Sequence, residues 1–268
     1  MAMLAPDLLD RRALALLSFV DISGIPVAVP LGIEGAGVRL VAKGAGRYGL
    51  LEAAGLEAYS GIFEPTPATP AVGAVALRLD VNPASQSLAP RGFTLKLPRD
   101  PDPAHADQAG SVFAAATTEL LPGPTALSPP GGCALRVAVT RSDDGRVVEN
   151  ALVRGRSDAG GYLARGLTDA RGEACLIFTG LPIAFARDGG GVQPDTAAHV
   201  VVTVDLATAL FHAPADISGA VADAAARTTG HADPDAFAAV ADAAFAAGTA
   251  ISIAAGARRS LAVTWSPA

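Results

Sequence analysis

Aromatic residues are scarce in this sequence, in which phenylalanine, tryptophan and tyrosine together make up 5% of 268 residues. We therefore expect a core of small aliphatic side chains, which requires close packing of the backbone. Cysteine is scarcer still, and Cys133 and Cys175 lack the Cys-x-x-Cys spacing of common zinc sites. The two thiols could form one disulfide, but both lie in apolar stretches, so we predict buried free thiols.

Positive charge is also sparse. The sequence has 20 lysines and arginines against 26 acidic residues, which gives a net charge of −6. Binding to nucleic acid requires clustered basic residues that neutralise phosphates, and the longest basic runs are Arg11-Arg12 and Arg258-Arg259. We therefore predict no nucleic-acid partner.

Long hydrophobic runs are missing as well. No stretch reaches the roughly 18 consecutive apolar residues of a transmembrane helix, so we predict no membrane insertion. Residues 13–17 follow Arg11-Arg12 as in a signal peptide, but Asp7 and Asp10 occupy the part that should be basic. We predict a protein of the cytoplasm, or of a particle assembled there, and export by another route stays open.

The sequence does contain a segment that occurs twice, and the second copy begins 120 residues after the first. Each copy has a strand, a polar turn, a short strand and a return through glycine. The copies are residues 17–27, 38–41 and 46–50, and residues 137–147, 151–154 and 168–177. Duplication of a β-module favours a part of an assembly over an enzyme.

Alternation of apolar and polar residues predicts strands in both halves, as where Leu77, Leu79 and Val81 share one face. The predicted strands are 15–19, 38–41, 48–51, 75–81, 93–97, 134–140, 151–156, 162–167, 174–178 and 200–206. Short alternating strands separated by tight turns indicate antiparallel β-sandwiches. We predict a mainly β chain with the bounds 1–121 for a first sandwich, 122–132 for a Pro/Gly linker, 133–211 for a second sandwich and 212–268 for a C-terminal region.

The C-terminal region is predicted to contain two short alanine-rich helices and a terminal β-hairpin. The second helix has Asp233 as N-cap, Pro234 at its first position and Gly248 as its stop. Residues 250–265 are interpreted as the hairpin, with Trp265 closing an edge of the core. Earlier in the chain, the glycines at 189–191 predict a longer mobile loop.

Two polar turns of the second sandwich carry the residue types that tight turns require. The first contains Asp143 and Gly145, and the second contains Thr168, Asp169 and Gly172. Aspartate bonds nearby amides and glycine accepts a positive φ. We interpret these five residues as a structural turn motif.

The other polar residues show no recognisable catalytic pattern. The acidic loop 98–107 with His105 lacks the glycine pivot and terminal glutamate of a calcium loop, so we interpret it as a solvated turn. His231 and Asp233 could form an acid and base pair, but capping already explains Asp233. We predict no catalytic residue, no metal and no cofactor.

A carbohydrate- or surface-binding module is the alternative from another functional class. Its stacking platforms would be Tyr48, Tyr59, Tyr162 and Trp265. The small number of aromatic residues weighs against this alternative, and Trp265 has the competing role at the core edge.

Residues 145–153 (GRVVENALV) and 168–174 (TDARGEA) resemble the carboxypeptidase regulatory-like domain. That family has the pattern Gly-x-x-φ-x-x-Ala-x-Val followed by Thr-Asp-x-x-Gly. Residues 14–50 resemble a more degenerate copy. The resemblance implies two Ig- or transthyretin-like β-sandwiches, and it carries no catalytic residue.

The same region, with Gly161-Tyr162 and residues 177–182 (IFTGLP), is similar to intradiol ring-cleaving dioxygenases. That family binds non-haem iron through two tyrosines and two histidines, and Tyr162 matches one tyrosine position. No second tyrosine and no close histidine pair follow Leu181-Pro182. Iron would therefore lack most of its ligands, so we expect neither the metal nor the activity.

Residues 46–48 (GRY), 55–59 (GLEAY) and 93–99 (FTLKLPR), taken with the two sandwiches, resemble proteins encoded with phage-tail-like contractile injection systems. The resemblance implies a structural or adaptor protein that is assembled in the cytoplasm. Its expected partners are protein components of a multi-subunit assembly, such as tail sheath, tube or cap components.

Overall fold

The chain is mainly β, as the alternating pattern predicts. The computed structural model describes residues 13–61, 67–157, 161, 163–182, 184–188, 191–195, 200–207, 230–237 and 248–266. The strands are β1 (Ala15–Val20), β2 (Leu31–Gly35), β3 (Arg39–Gly44), β4 (Arg47–Glu52), β5 (Val75–Pro83), β6 (Arg91–Leu97), β7 (Ala116–Glu119), β8 (Cys133–Arg141), β9 (Leu152–Arg156), β10 (Leu163–Leu167), β11 (Glu173–Phe178), β12 (Ala184–Asp188), β13 (Gly191–Asp195), β14 (Val200–Ala207), β15 (Thr249–Ile253) and β16 (Arg258–Trp265). Helix α1 spans Glu57–Gly61, and short 3₁₀ helices span Pro103–His105 and Pro234–Phe237. Within the described ranges, no helix has both the length and the apolar character of a membrane span.

The chain divides into two units. Unit 1 consists of Met1–Val81 and Phe93–Glu119, and unit 2 consists of Asn82–Gly92 and Leu120–Ala268. Residues 122–132, the predicted linker, belong to unit 2, where the amide of Gly123 donates to the carbonyl of Ser87 over 2.9 Å. No sequence pattern indicates that Asn82–Gly92 belongs to unit 2.

In unit 1, one sheet has the strand order β3-β4-β1-β7 and the other has the order β2-β5-β6. Strand β1 is central, because it pairs antiparallel with β4 and parallel with β7. Its side chains Leu17 and Phe19 are fully buried. The ring of Phe19 meets the ring of Phe93 on β6 edge to face, with 5.7 Å between centroids. Apolar side chains of both sheets therefore contact one another in the core.

In unit 2, one sheet has the order β11-β8-β16, a second has the order β10-β9-β14-β15, and β12 pairs with β13. Strand β8 pairs antiparallel with β11 and parallel with β16. Buried side chains from both larger sheets form one hydrophobic cluster, which includes Val137, Val153, Leu176, Val202 and Ile253. Strands β1 and β8 thus each lie between an antiparallel and a parallel neighbour, so these sheets are not purely antiparallel as predicted.

The duplicated segment has the same backbone hydrogen bonds in both units. In the first copy, the amide of Phe19 donates to the carbonyl of Gly46 over 2.7 Å, and the amide of Val27 donates to the carbonyl of Phe19 over 3.0 Å. The second copy repeats both bonds, from Val139 to Gly172 over 2.8 Å and from Val148 to Val139 over 3.0 Å. The first and last elements of the repeat therefore share a backbone frame. The middle elements do not correspond as predicted, because residues 39–41 lie in β3, which pairs with β4, whereas residues 152–154 lie in β9, which pairs with β10 and β14.

The predicted C-terminal hairpin is wrong in its pairing. Strand β15 pairs antiparallel with β14, whereas β16 pairs parallel with β8 in the other sheet. The chain crosses between the sheets at Gly256, which has a φ of +74° and donates its amide to the carbonyl of Gly132 over 2.7 Å. The crossing places Ile253 and Val263, one from each strand, in the hydrophobic cluster of unit 2. Burial of apolar side chains from two sheets stabilises this arrangement.

The longer loop predicted around the glycines at 189–191 is wrong in its extent, and residues 189 and 190 lie outside the described residues. Strands β12 and β13 form an antiparallel pair in which Asp188 lies opposite Gly191. Two consecutive glycines between short strands are typical of a hairpin turn, so the sequence is also consistent with this pairing.

Both cysteines are free and buried, as predicted. Cys133 lies opposite Phe178, and Cys175 lies opposite Arg136 on the neighbouring strand. This register separates the thiols by three positions and places them on opposite faces of the sheet, so they cannot form a disulfide. Burial raises the pKa of the Cys175 thiol to about 11, which keeps it protonated.

Some predictions fall outside the described residues, namely those for residues 1–12, for Tyr162 and for most of the alanine-rich helical region after Phe211. The start of the second predicted helix is described. A 3₁₀ helix begins at Pro234, and the Asp233 carboxylate accepts a hydrogen bond from the amide of Asp235 over 3.1 Å.

Candidate functional site

The Thr168 to Gly172 segment forms the turn before β11. The buried hydroxyl of Thr168 accepts a hydrogen bond from the amide of Ala151 over 2.8 Å. Oδ1 of Asp169 accepts hydrogen bonds from the amides of Arg171 and Glu173 over 2.9 and 3.0 Å. These contacts provide hydrogen-bond acceptors for backbone amides of the turn, and they fix the backbone conformation that leads into β11.

Glycine is required at the close backbone approach in both copies. Gly172 has a φ of +71°, and a Cβ atom there would lie 2.6 Å from the carbonyl oxygen of Val139. Gly46 has a φ of +62°, and its Cβ atom would lie 2.5 Å from the carbonyl oxygen of Phe19. Real side chains do not tolerate such distances to backbone atoms, and L residues rarely adopt this φ.

The turn after β8 is built on an ion pair as well as on amide contacts. The Asp143 carboxylate accepts hydrogen bonds from Nε and Nη2 of Arg141 over 2.9 and 2.5 Å. This pairing lowers the pKa of Asp143 to about 2. The amide of Arg146 instead donates to Asp144, over 3.0 Å, and Gly145 has a φ of +70°.

Two of the candidate stacking residues, Tyr48 and Tyr59, hold backbone segments of unit 1. The hydroxyl of Tyr48 accepts a hydrogen bond from the amide of Leu31 over 3.1 Å. Tyr59 is 6% exposed, and its hydroxyl lies 2.6 and 2.7 Å from the carbonyl oxygens of Pro67 and Pro70. A ring this deeply buried offers no face to a sugar.

Trp265 is half-buried at the end of β16 and packs against the hydrophobic cluster of unit 2. The guanidinium carbon of Arg141 lies 5.8 Å from the centroid of its ring, within the range of a cation–π interaction. Arg141 therefore connects the Asp143 turn to the last strand. Tyr162, the fourth candidate, lies outside the described residues.

The loop after β6 is organised by Arg99, whose side chain is buried. Its Nε donates to the carbonyl of Ser111 over 2.8 Å, and its Nη2 donates to the carbonyls of Ala109 and Ala114 over 2.5 and 3.1 Å. Burial lowers the pKa of Arg99. One guanidinium thus closes the loop through three carbonyls.

The acidic residues of this loop bind amides and a histidine. Asp100 Oδ1 accepts a hydrogen bond from the amide of Asp102 over 2.9 Å, and Asp100 Oδ2 lies 2.7 Å from His105 Nδ1. The amide of Asp102 and the His105 ring lower the pKa of Asp100, and the Asp100 hydrogen bond raises the pKa of His105. Across the described ranges, no group of three or more His, Cys, Asp or Glu side chains is placed to hold a metal ion.

A fully buried arginine in unit 2 is missing from the sequence-based predictions. Nη2 of Arg91 lies 2.5 Å from Asp235 Oδ2 and 3.4 Å from Asp233 Oδ1. Its Nε donates to the carbonyl of Gly92 over 3.2 Å, and the amide of Gly92 donates to the carbonyl of Ala232 over 2.8 Å. The carboxylates are 142 and 144 residues away in sequence, so no local pattern could indicate the contact.

His231 extends this contact between two distant segments. Its Nε2 lies 2.6 Å from Oδ1 of Asn82. Asp233, the partner in the acid and base hypothesis, contacts Arg91 and accepts the amide of Asp235. The described contacts of this cluster attach residues 230–237 to residues 82–92, which is a structural function.

Unit 1 contains a small cavity. It is lined by Tyr59, Arg99 and Val112, among other residues, and has a volume of about 10 Å³. Ligand pockets usually measure about 300 to 1,000 Å³, and a single water needs about 10 to 15 Å³. This cavity therefore has no room for a sugar or a cofactor.

The described candidate residues thus stabilise turns and a short 3₁₀ helix, form ion pairs, or pack against strands. They lie in separate places along both units, and the described contacts do not bring the aromatic candidates together. No protein-family model, no curated protein and no solved structure matches the chain.

Proposed function

We propose that this chain is a non-catalytic structural or adaptor protein of a larger assembly, and that the assembly is a phage-tail-like contractile injection particle. Each unit is an Ig- or transthyretin-like β-sandwich in this proposal. The partners are protein components such as tail sheath, tube or cap components, and assembly takes place in the cytoplasm. In this proposal the chain binds no nucleic acid and does not insert into a membrane.

The observation that carries the proposal is the duplicated hydrogen-bond frame around Phe19 and Val139. A repeated module of this kind holds its β-sheets and their edge strands in a fixed geometry, and a component of a protein assembly needs such a fixed surface for binding its neighbours. The sandwich interpretation is supported by the contact of Phe19 with Phe93, and by the unit 2 cluster that collects Val137 and Val202 from different sheets.

The contacts of the polar candidates favour a structural role over catalysis. Asp169 binds two amides, and Asp143 is paired with Arg141. The burial of Tyr59 removes one platform from the sugar-binding alternative. We therefore propose that the chain acts on a partner by binding it through its surface, and not through a reactive group.

Co-purification with the particle tests the proposal. Contractile particles would be purified from the source cells by sedimentation, and the chain would be quantified in the particle fraction by mass spectrometry. We expect a fixed ratio to sheath protein that persists after a second sedimentation. Recovery of the chain only in the soluble fraction, while sheath and tube sediment, would contradict the proposal.

A further inference from the structure

Strand β16 is the longest strand at the edge of a sheet among the described residues. It runs over eight residues and pairs with β8 in a continuous parallel register, from Arg258 opposite Ala134 to Trp265 opposite Arg141. Among the described strands, none pairs with its other side in the sheet order β11-β8-β16. A long open edge is a template for an added strand.

The hydrogen bonds at the two ends of β16 show which backbone groups point outwards. The carbonyl of Ala257 accepts the amide of Ala134 over 3.2 Å, and the carbonyl of Trp265 accepts the amide of Ser142 over 2.9 Å. In a parallel pair, alternate residues direct both backbone groups to the same neighbour. The odd-numbered residues of β16 therefore face β8. The residues that direct their amides and carbonyls away from β8 are Arg258, Ser260, Ala262 and Thr264.

The outward amides and carbonyls of these four residues can form hydrogen bonds with an added strand. Each is exposed, and within the described part of the chain no other strand bonds to them on that side. Residues 260–265 contain no charge, no proline and no bulge, which are the usual devices that protect an edge.

The other edges are shorter, irregular or covered. Strand β7, which occupies the same place in unit 1, has four residues, and β3 has register shifts near Arg39 and near Gly44. The start of β6 is bonded to Ala232 through the amide of Gly92. Strand β11, at the opposite edge of the same sheet as β16, is buried along nearly its whole length.

Charge indicates what kind of strand fits the edge of β16. Arg258 and Arg259 begin the strand, both are exposed, and residues 248–266 contain no acidic residue. The register places Arg136, also exposed, opposite Ser260, so Arg136 and Arg258 share a face of the sheet. An occupant with acidic residues at the end that meets Arg258 would complement this charge. A second copy of β16 has no acidic residue to supply.

We propose that the open edge of β16 binds an extended protein segment with an acidic end, which adds to the β11-β8-β16 sheet as a further strand. This inference rests on the proposed role as an assembly part, and it names the docking edge and the chemistry of the partner. Antiparallel addition is the more stable mode, and it places the C-terminal end of the partner segment beside Arg258.

Two synthetic peptides of alternating threonine and valine test the inference, one ending in Glu-Glu and the other in Lys-Lys. Binding to the full chain would be followed by amide NMR at Ser260, Ala262 and Thr264. Since two exposed charge pairs contribute roughly 0.7 kcal/mol each, we expect the Glu-Glu peptide to bind about tenfold more tightly. We expect this preference to shrink at high salt. Equal binding of both peptides, or no binding of either at millimolar concentration, overturns the inference.

Backbone and charge variants locate the binding. Ala262→Pro removes an outward amide without removing a bond to β8, so we expect loss of peptide binding with a retained fold, whereas Ala262→Val keeps the amide and retains binding. The double variant Arg258→Glu and Arg259→Glu is expected to reverse the peptide preference. The matched double variant Arg47→Glu and Arg146→Glu, at exposed positions elsewhere, is expected to leave it unchanged. Equal peptide binding by Ala262→Pro and Ala262→Val, or self-association of the free chain through β16, overturns the inference.

Sedimentation with native particles separates the two proposals. If the wild-type chain and Ala262→Pro co-sediment equally with particles, the assembly role stands and β16 is not the docking edge. If the wild-type chain does not co-sediment, the contractile-particle role fails, and the peptide experiment alone decides whether β16 binds an acidic strand.

Discussion

The two copies of the module share one hydrogen-bond frame but place their third strand in different sheets. In unit 1, β3 pairs with β4, next to the central strand β1. In unit 2, the counterpart β10 pairs with β9, in the sheet that does not contain β8. The length of the connecting turn explains the difference. Gly44 lies opposite Arg47, which leaves a two-residue loop, whereas residues 168–172 separate β10 from β11.

A two-residue loop obliges the flanking strands to pair with each other as a hairpin. A longer turn can carry the chain from one sheet to the other, and it then needs its own internal bonds. Asp169 supplies them in unit 2, where its carboxylate accepts two amides. At the corresponding position of unit 1, three residues before Gly46, the sequence has the exposed Lys43. The backbone frame is shared, and the side-chain support is specific to each copy.

Substitution of the two frame glycines gives the largest expected effect and tests whether the frames are equivalent. Gly46→Ala and Gly172→Ala each place a Cβ atom within 2.6 Å of a backbone carbonyl oxygen at positive φ. We expect each variant to lower the free energy of unfolding by about 3 kcal/mol. Urea unfolding measures the loss, and Gly24→Ala, at positive φ with open space around it, separates the φ cost from the steric cost. A difference of more than about 2 kcal/mol between the two frame variants would contradict their equivalence.

The two buried arginines sharpen the comparison, because one makes local contacts and the other makes distant ones. Arg99 binds carbonyls up to 15 residues away, whereas Arg91 binds carboxylates 142 and 144 residues away. We expect Arg91→Met to cost about 3 kcal/mol, since it removes a fully buried guanidinium that contacts Asp233 and Asp235. Hydrogen exchange resolved by peptide should increase in both residues 82–92 and residues 230–237.

Arg99→Met is the matched variant in unit 1. It should increase exchange in residues 109–114 and leave distant peptides unchanged. Arg146→Met controls for the substitution itself, because that side chain is 83% exposed. Increased exchange confined to residues 82–92 in Arg91→Met would show that the contact does not hold residues 230–237.

Local sequence patterns were sufficient where the physical cause is local. The alternation of Leu77, Leu79 and Val81 indicated a strand, and all three side chains are buried. Strand period and turn residues act over a few positions, so a single sequence displays them. The mainly β character of the chain could therefore be predicted.

Pairing partners were harder to predict because they depend on distant segments. Residues 250–265 were correctly expected to form two strands, but which sheet each strand joins depends on open edges beside β8 and β14. The partners of Arg91 depend on the same kind of long-range contact. Apolar runs on β15 and β16 fit a hairpin and a crossing equally well, and burial of Ile253 and Val263 in one cluster decides between them.

Removal of the Asp169 carboxylate has a smaller expected effect, and it tests the difference in side-chain support. Asp169→Ala removes two hydrogen bonds to amides, so we expect a loss of about 2 kcal/mol in the free energy of unfolding. Lys43→Ala, at the corresponding position of unit 1, is expected to change the free energy by less than about 0.5 kcal/mol. Urea unfolding of both variants measures the contrast. Equal losses would show that the two turns depend on their side chains to the same degree.

Titration of Asp143 gives the smallest expected effect and tests the support of the turn after β8. The Arg141 guanidinium lowers the pKa of this carboxyl to about 2, below its usual value of 3.8. Because the pKa is lower in the folded state, the ion pair stabilises the fold fully at a pH above the usual pKa of 3.8. This stabilisation is lost as the pH falls from about 4 towards 2. We expect carboxyl carbon NMR to give a midpoint near 2 in the wild-type chain and a higher midpoint, closer to 3.8, in Arg141→Gln. Because Arg141 also lies over Trp265, the same substitution should alter the tryptophan fluorescence at neutral pH.

A titration midpoint of Asp143 that does not move in Arg141→Gln would assign the low pKa to the turn amides instead. The turn after β8 would then be supported in the same way as the turn after β1, where Asp21 accepts hydrogen bonds from the amides of Ser23 and Ile25.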